Sequence, residues 1–111
     1  MILLNTTFCV DDNIAGAFID FIREVYMPLA DSSDLHSALL TEVRVTPETN
    51  TLTGQLSRSF ALQMRAPSQE VADDFRRDIL PELYRLIGQQ WGPAVGMFES
   101  VLDVVYDHSK K

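Results

Sequence analysis

The chain contains 111 residues, 46% of them hydrophobic and 23% charged, a composition typical of one folded domain that excludes a disordered or fibrous protein. Its formal net charge of −7 gives a surface that repels phosphate groups, so we expect neither nucleic-acid nor membrane-surface binding. No apolar run approaches the roughly 20 residues that span a bilayer, no signal peptide is expected, and the single cysteine fits a reducing cytoplasm.

The N-terminal segment predicts a strand over residues 2–10 followed by a helix. β-Branched and aromatic residues dominate the strand, and its alternation defines two faces. One face consists of Ile2, Leu4, Thr6, Phe8 and Val10, and the other of Leu3, Asn5, Thr7 and Cys9. Asp11 or Asp12 is expected to cap the helix, and Pro28, which has no N–H group, should end it near Met27. The apolar stripe of this helix consists of Ile14, Phe18, Phe21, Ile22 and Val25.

The middle of the chain predicts a β-hairpin. Alternation from about Leu35 to Thr46 and again over residues 55–66 indicates two strands, and the residues between them favour a turn. In the later strand the apolar face consists of Leu56, Phe60, Leu62 and Met64. In the earlier strand we expect Glu42 and Arg44 to lie on the polar face of the sheet.

The C-terminal third predicts a second helix and a last strand. Ser68 is expected to cap the helix, Pro81 to kink or split it near Leu80, and Gly88 to stop it. Its buried stripe consists of Val71, Phe75, Ile79, Leu83 and Leu86 or Ile87. The last strand, over about 95–106, is apolar on both sides except for Glu99 and Asp103, which we expect on the polar face of the sheet.

The element order β-α-β-β-α-β predicts an α+β protein with the ferredoxin-like fold, in which a four-stranded antiparallel sheet carries two helices on one face. Residues 1–106 are expected to form this single domain, with a polar tail over residues 107–111. The face of the sheet without helices, called the open face below, is expected to be polar. Besides Glu99 and Asp103, its predicted polar residues are Asn5, Thr7, Glu42, Arg44, Ser57, Gln63 and Arg65.

Several functions common in this fold are not favoured by these residues. RNA-recognition domains stack bases on aromatic residues of the open face, whereas Phe8 and Phe60 are predicted on the helix side. His36 and His108 stand apart from other ligand-type residues, so no metal site is expected. Cys9 lies on the predicted open face, and we favour a packing role for it over that of a nucleophile because no histidine is placed as its base.

The chain resembles the small bacterial proteins of the domain of unknown function 4286 family. The segments that carry the resemblance are MILLNTTFCVDDNI, FIDFIREVYMP, SFALQMRAPSQEVADDF, ILPEL and MFESVLDVV. The resemblance implies a ferredoxin-like protein similar in shape to the dimeric α+β barrel proteins, and hence a homodimer. Where family members often have a His-Ile-Pro sequence, this chain has Tyr26-Met27-Pro28, so a histidine-dependent mechanism is not expected.

Two main hypotheses follow. The first is a non-enzymatic homodimeric domain that binds a small molecule or a partner protein, because no nucleophile–base pair, metal cluster or phosphate loop is present in the sequence. The alternative is an enzyme of the dimeric α+β barrel type, a cofactor-independent monooxygenase or an isomerase of a small organic molecule. Its candidate pocket, between the sheet and the helix ends, consists of Tyr26, Glu42, Arg44 and Glu99. A haem protein ranks last because only two histidines are available, and no cofactor is expected.

Overall fold

A computed structural model describes residues 1–31, 33–35 and 37–105, apart from the side chain of residue 30. His36, His108 and the predicted polar tail lie outside the described residues. So does Tyr106, the last residue of the predicted fourth strand.

The four strands form one antiparallel sheet in the order β2-β3-β1-β4. Their bounds are Ile2–Asp11 (β1), Ser37–Val43 (β2), Ser57–Ala66 (β3) and Val95–Asp103 (β4). Both helical units pack on the same face of this sheet, called the covered face below. This architecture confirms the predicted ferredoxin-like fold, and β2 and β3 form the predicted hairpin.

The first helical unit runs past the proline that was expected to end it. It consists of α1 (Ala15–Phe21), a π-helical turn (Ile22–Tyr26) and α2 (Met27–Asp31). The N–H group of Met27 donates to the carbonyl of Ile22, five residues earlier. We attribute the tolerance of Pro28 to this wider turn, because proline offers no N–H group and its ring crowds the carbonyl four residues before it. The predicted end near Met27 is therefore wrong.

The start of this unit also differs from the prediction. Neither Asp11 nor Asp12 caps a helix with its side chain, because a 3₁₀ turn (Asp12–Ile14) precedes α1. Asp11 is buried, and its Oδ1 atom accepts a hydrogen bond of 3.0 Å from Asn50 Nδ2. The same amide donates to the carbonyl of Pro93 at 2.9 Å, so Asn50 connects the β2–β3 loop to both the end of β1 and the start of β4.

The second helical unit consists of α3 (Gln69–Asp78) and α4 (Leu80–Trp91). Ser68 caps α3 as predicted, with its Oγ atom accepting from the N–H of Val71 at 3.3 Å. The predicted split near Leu80 is confirmed, since Pro81 occupies the first turn of α4. The predicted stop at Gly88 is wrong. The helix continues to Gly92, whose φ of +53° is a conformation that glycine adopts without steric cost.

The core lies between the covered face and the helices. Every second residue of β1 and β3 points into it, as predicted for the two central strands. The largest fully buried side chains are those of Phe8, Phe18, Tyr26, Phe75, Ile22, Leu62, Met64, Leu83, Ile87, Val10 and Thr6. Trp91 closes one end, with its ring 5.8 Å from that of Phe18 and 5.4 Å from that of Phe21.

In the two edge strands, β2 and β4, the side chains point to the opposite faces of the sheet from those predicted. Glu42 pairs with Phe60, and Glu99 pairs with Thr6, so both acids lie on the covered face. Asp103 pairs with Ile2 and lies there too. Both edge strands carry apolar residues on both sides, so their hydrophobicity does not determine which side faces the helices. The register against β1 and β3 does, and the predicted open-face positions of these three acids are wrong.

Candidate functional site

A group of polar side chains meets in the otherwise apolar layer between the covered face and the helices. We call it the tyrosine cluster, and it consists of Thr6, Tyr26, Arg76, Tyr84 and Glu99. Its members come from five elements: the π-helical turn, β1, α3, α4 and β4. Because these elements are held by the core, the geometry of the cluster is set by the packing of the whole domain.

Glu99 is the acceptor at the outer end of the cluster. Its Oε1 atom accepts hydrogen bonds from Arg76 Nη2 at 2.9 Å and from Arg76 Nε at 3.3 Å. Its Oε2 atom accepts from the Tyr84 hydroxyl at 3.2 Å. The Glu99 and Arg76 side chains are about one third exposed, so this end of the cluster contacts solvent.

Tyr26 is the inner end of the cluster. It is the last residue of the π-helical turn and is fully buried, with its ring edge-on to Phe8 at 6.4 Å. Its hydroxyl has no hydrogen-bond partner of standard geometry among the described residues, although the Thr6 hydroxyl lies near enough to lower its pKa. Buried polar atoms are usually paired, and an exception calls for a physical explanation, such as an ordered water molecule, an ion or a catalytic role. π-Helical turns also occur frequently at functional sites.

The surroundings keep both phenols protonated. Burial raises the pKa of Tyr26 well above its usual value, Tyr84 and Glu99 raise it further, and the nearby Thr6 hydroxyl acts in the opposite direction. For Tyr84, burial is again the main cause and raises the pKa to about 12. Thr6 and Arg76 lower that pKa, whereas Glu99 raises it. The cluster therefore presents neutral hydroxyl groups that can donate or accept hydrogen bonds at neutral pH.

Glu42 and Arg44 lie at a different place. Glu42 accepts two hydrogen bonds of 2.8 Å from Arg58, and these hold the pKa of Glu42 below its usual value. Arg44 follows the end of β2 and lies in the β2–β3 loop. Both residues line an open cleft of about 480 Å³ together with Arg58, Val45 and Pro47.

The structure thus separates the four predicted pocket residues into two pairs. Tyr26 and Glu99 belong to the tyrosine cluster, whereas Glu42 and Arg44 belong to the cleft beside β2. β2 and β4 are opposite edges of the sheet, three strand spacings or about 14 Å apart, so Glu42 and Glu99 belong to separate places.

Sequence reasoning missed Thr6, Arg76 and Tyr84 as members of a site. A signal for Thr6 was available, because it is the one polar residue on a strand face that is otherwise Ile, Leu, Phe and Val. Tyr84 follows Leu83 at the border of the apolar stripe of α4, which is weaker information. Nothing local in the sequence indicates that Arg76 reaches Glu99, 23 residues later.

The open face combines a polar centre with exposed apolar residues. Asn5, Thr7, Gln63 and Ser100 form the centre, since Asn5 pairs with Gln63 on one side and with Ser100 on the other. Leu39 and Phe98, on opposite edge strands, are 61% and 59% exposed. Val43 and Leu102 add to this apolar surface. Cys9 is exposed on the same face. The described residues contain no group of three histidine, cysteine or acidic side chains close enough to hold a metal ion.

A comparison with known protein families shows the family to which this chain belongs. Residues 1–105 match a family described as domain of unknown function DUF4286. The chain belongs to the DUF4286 family. The match covers all four strands and both helical units, which agrees with the resemblance read from the sequence. No curated protein matches the sequence.

Solved structures with the same fold share little sequence with this DUF4286 protein. A proposed antibiotic biosynthesis monooxygenase from Bacillus cereus has a TM-score of 0.66 and 10% identity, covering 99% of this chain and 96% of its own. A dimeric ferredoxin-like protein from an uncultured marine organism has a TM-score of 0.60 and 14% identity, with 96% and 97% coverage. An EthD-family protein from Bacillus halodurans has a TM-score of 0.57 and 10% identity, with 90% and 97% coverage. These similarities establish the fold. No helix in the described part of the chain is long and apolar enough to cross a membrane.

Proposed function

We propose that this protein is a cytoplasmic, homodimeric domain that binds a small molecule or a partner protein, and that two copies associate through their open faces. The observation that carries the proposal is the exposure of Leu39 and Phe98 on that face. Large apolar side chains gathered on one face of a folded protein are typical of association sites. No helix among the described residues packs on this face, so a second copy is the simplest partner.

The size of the open face supports this proposal. Four strands spaced about 4.8 Å apart and up to ten residues long give a flat area of roughly 600 Å². The side chains that project from it increase the accessible area towards the roughly 800 Å² per partner of a standard interface. One structural neighbour is itself named a dimeric ferredoxin-like protein, which supports a dimer here.

The polar centre of the open face supports a symmetric contact. The Asn5 Oδ1 atom is buried and accepts no hydrogen bond from a described residue. In a face-to-face dimer with a twofold axis near β1, Asn5 would meet polar residues of the second copy, such as Gln63 or Ser100. Polar residues at the centre of an interface fix its register, while Leu39 and Phe98 supply the apolar area.

The test is the molar mass in solution, measured by size-exclusion chromatography with light scattering. The natural protein is expected to be a dimer, and the double variant Leu39→Asp/Phe98→Asp a folded monomer, because facing carboxylates repel and lose hydration in the interface. Leu52→Asp is the matched control, since Leu52 is 78% exposed but lies in the β2–β3 loop. A monomeric natural protein, or a double variant that stays dimeric, would contradict the proposal.

The tyrosine cluster favours a second candidate, an enzyme of the dimeric α+β barrel type that acts on a small organic molecule without a cofactor. The Tyr84 hydroxyl, the Glu99 carboxylate and the buried Tyr26 hydroxyl are groups that can donate and accept a proton. One neighbour in fold is named a proposed monooxygenase. Monooxygenase activity would appear as oxygen uptake with added phenols, and isomerase activity as product NMR signals from unsaturated acids. Either activity should be lost in Glu99→Gln, and no turnover by the natural protein removes this candidate.

A further inference from the structure

We propose that the Tyr26 hydroxyl is the inner end of a binding site for a small neutral molecule with one hydrogen-bonding group on an apolar body, such as a phenol. The inference gives the ligand-binding part of the proposed function a location and rests on it only in that respect. The site lies on the covered face, so it is separate from the proposed dimer contact on the open face.

Three observations on Tyr26 point to a ligand. Its hydroxyl is fully buried yet unpaired among the described residues, and leaving such a group unpaired costs free energy that a ligand would recover. Tyr26 ends a π-helical turn, a local irregularity that is frequent at functional sites. The residues around it include the polar members of the tyrosine cluster, which is unusual in a core built from Phe, Leu and Ile side chains.

The chemistry of the surroundings selects the class of ligand. Tyr26, Tyr84 and Thr6 present hydroxyl groups, each of which can donate or accept. The ring of Phe8, edge-on to that of Tyr26, supplies an apolar aromatic wall. The Glu99 carboxylate next to Tyr84 repels anions, and burial makes any charged molecule costly to bind. A neutral ligand with a hydroxyl and an apolar ring matches all three conditions.

The outer end of the cluster provides the route to this site. Arg76, Glu99 and Tyr84 close the layer between the helices and β4 with three hydrogen bonds. The Arg76–Glu99 pair is partly exposed, and ion pairs of this kind contribute little to stability because water competes for both groups. We therefore expect ligand entry to require the opening of this pair.

The test uses phenol, toluene and benzoate as probes of the full chain, followed by ¹H–¹⁵N NMR titration. Phenol is expected to bind saturably and to shift the amide signals of Thr6, Tyr26 and Glu99. Its affinity should fall at least tenfold in Tyr26→Phe, which removes only the hydroxyl, whereas toluene should bind the natural protein and the variant equally. Benzoate should bind neither. Thr6→Val is a second variant and should weaken phenol binding several-fold while leaving toluene binding unchanged.

The outcomes separate this inference from the proposed dimer. The Leu39→Asp/Phe98→Asp protein should bind phenol as the natural protein does, even when it is monomeric. The inference is overturned if phenol does not bind saturably, if Tyr26→Phe binds phenol as tightly as the natural protein, or if the shifted amides lie on the open face. A dimer without phenol binding would leave the proposed association intact and exclude this site.

Discussion

Thr6 and Thr7 are adjacent in β1, yet they point to opposite faces of the sheet and have opposite surroundings. Thr6 is buried beneath the helices, next to the hydroxyls of Tyr26 and Tyr84. Thr7 lies on the open face, where Asn5 Nδ2 donates to it at 3.4 Å and Phe98 is its pairing partner on β4. On the covered face polar groups sit in an apolar layer, and on the open face apolar groups surround a polar centre.

The difference shows where the buried polar groups of one face and the exposed apolar groups of the other can find interaction partners. On the covered face the helices exclude water, so polar groups must pair inside the molecule or with a bound ligand. On the open face water can reach most of the polar groups, the buried Asn5 Oδ1 atom being an exception, and the exposed apolar side chains gain only by contact with another molecule. The covered face therefore suggests a small-molecule site, and the open face suggests a protein contact.

Two phenylalanines give the largest expected contrast between the faces. Phe8→Ala removes a fully buried ring from the covered face and should lower the free energy of unfolding by about 3–5 kcal/mol. Phe98→Ala removes an exposed ring from the open face and should cost less than about 1 kcal/mol. Urea denaturation measures both losses in the Leu39→Asp protein, after light scattering has shown that each protein compared is monomeric. Equal losses would contradict the placement of Phe8 and Phe98 on opposite faces of the sheet.

Alkaline pH should weaken the covered face through its two phenols. In the unfolded chain Tyr26 and Tyr84 ionise near pH 10. In the folded protein burial raises both pKa values, that of Tyr84 to about 12. Between about pH 10 and 12 the folded state binds more protons than the unfolded state, so the free energy of unfolding falls as pH rises. Below about pH 10 both phenols are protonated in both states, so the stabilisation is fully present and does not change with pH.

The comparison protein for this prediction is Tyr26→Phe/Tyr84→Phe, which retains the rings. Urea midpoints measured at pH 8, 10 and 11 should fall less steeply in the double variant than in the natural protein. Other groups that ionise at high pH act equally on both proteins. Parallel declines would show that neither phenol is shielded from water.

The contrast between the faces was only half visible in the sequence. In β1 and β3 apolar residues predominate at alternate positions and identify the covered side, and the faces were predicted correctly except for Leu56, which precedes β3 and is 55% exposed. In β2 and β4 apolar residues occur on both sides, as with Leu39 and Leu40, so only pairing with the central strands decides. Glu99 was assigned to the wrong face for this reason, although it was predicted in one candidate pocket with Tyr26.

The helix ends show the same limit. Pro28 and Gly88 carry strong local signals for a helix stop, but the wider π-helical turn accommodates the first and α4 continues through the second. Packing decides both cases, because Tyr26 and Ile87 are fully buried close to these positions and hold the helix against the sheet. Pro81 split its helix as predicted, because the break at Ile79 falls between two separately packed segments.

The adjacent threonines give a smaller, matched contrast. Thr6→Val preserves shape but removes a buried hydroxyl that interacts with Tyr84, so we expect a loss of about 0.5–1.5 kcal/mol, the usual contribution of one such interaction. Thr7→Val should change the free energy of unfolding by no more than about 0.5 kcal/mol, because Thr7 lies on the uncovered side. Chemical denaturation of both variants, made in the Leu39→Asp/Phe98→Asp protein so that association does not contribute, measures this contrast. Equal costs for the two substitutions would contradict the assignment of the two threonines to opposite faces.

Tyr26→Phe should give the smallest effect, and its sign is the informative part. The substitution removes a buried hydroxyl that has no partner among the described residues and leaves the ring packed against Phe8. We therefore expect an increase of about 0.5–1 kcal/mol in the free energy of unfolding, the cost of burying an unpaired polar group. Tyr84→Phe is the control and should give a decrease, because it removes the hydrogen bond to Glu99. A decrease in both variants would contradict this expectation. It would mean that a water molecule or a bound ligand already pairs with the Tyr26 hydroxyl.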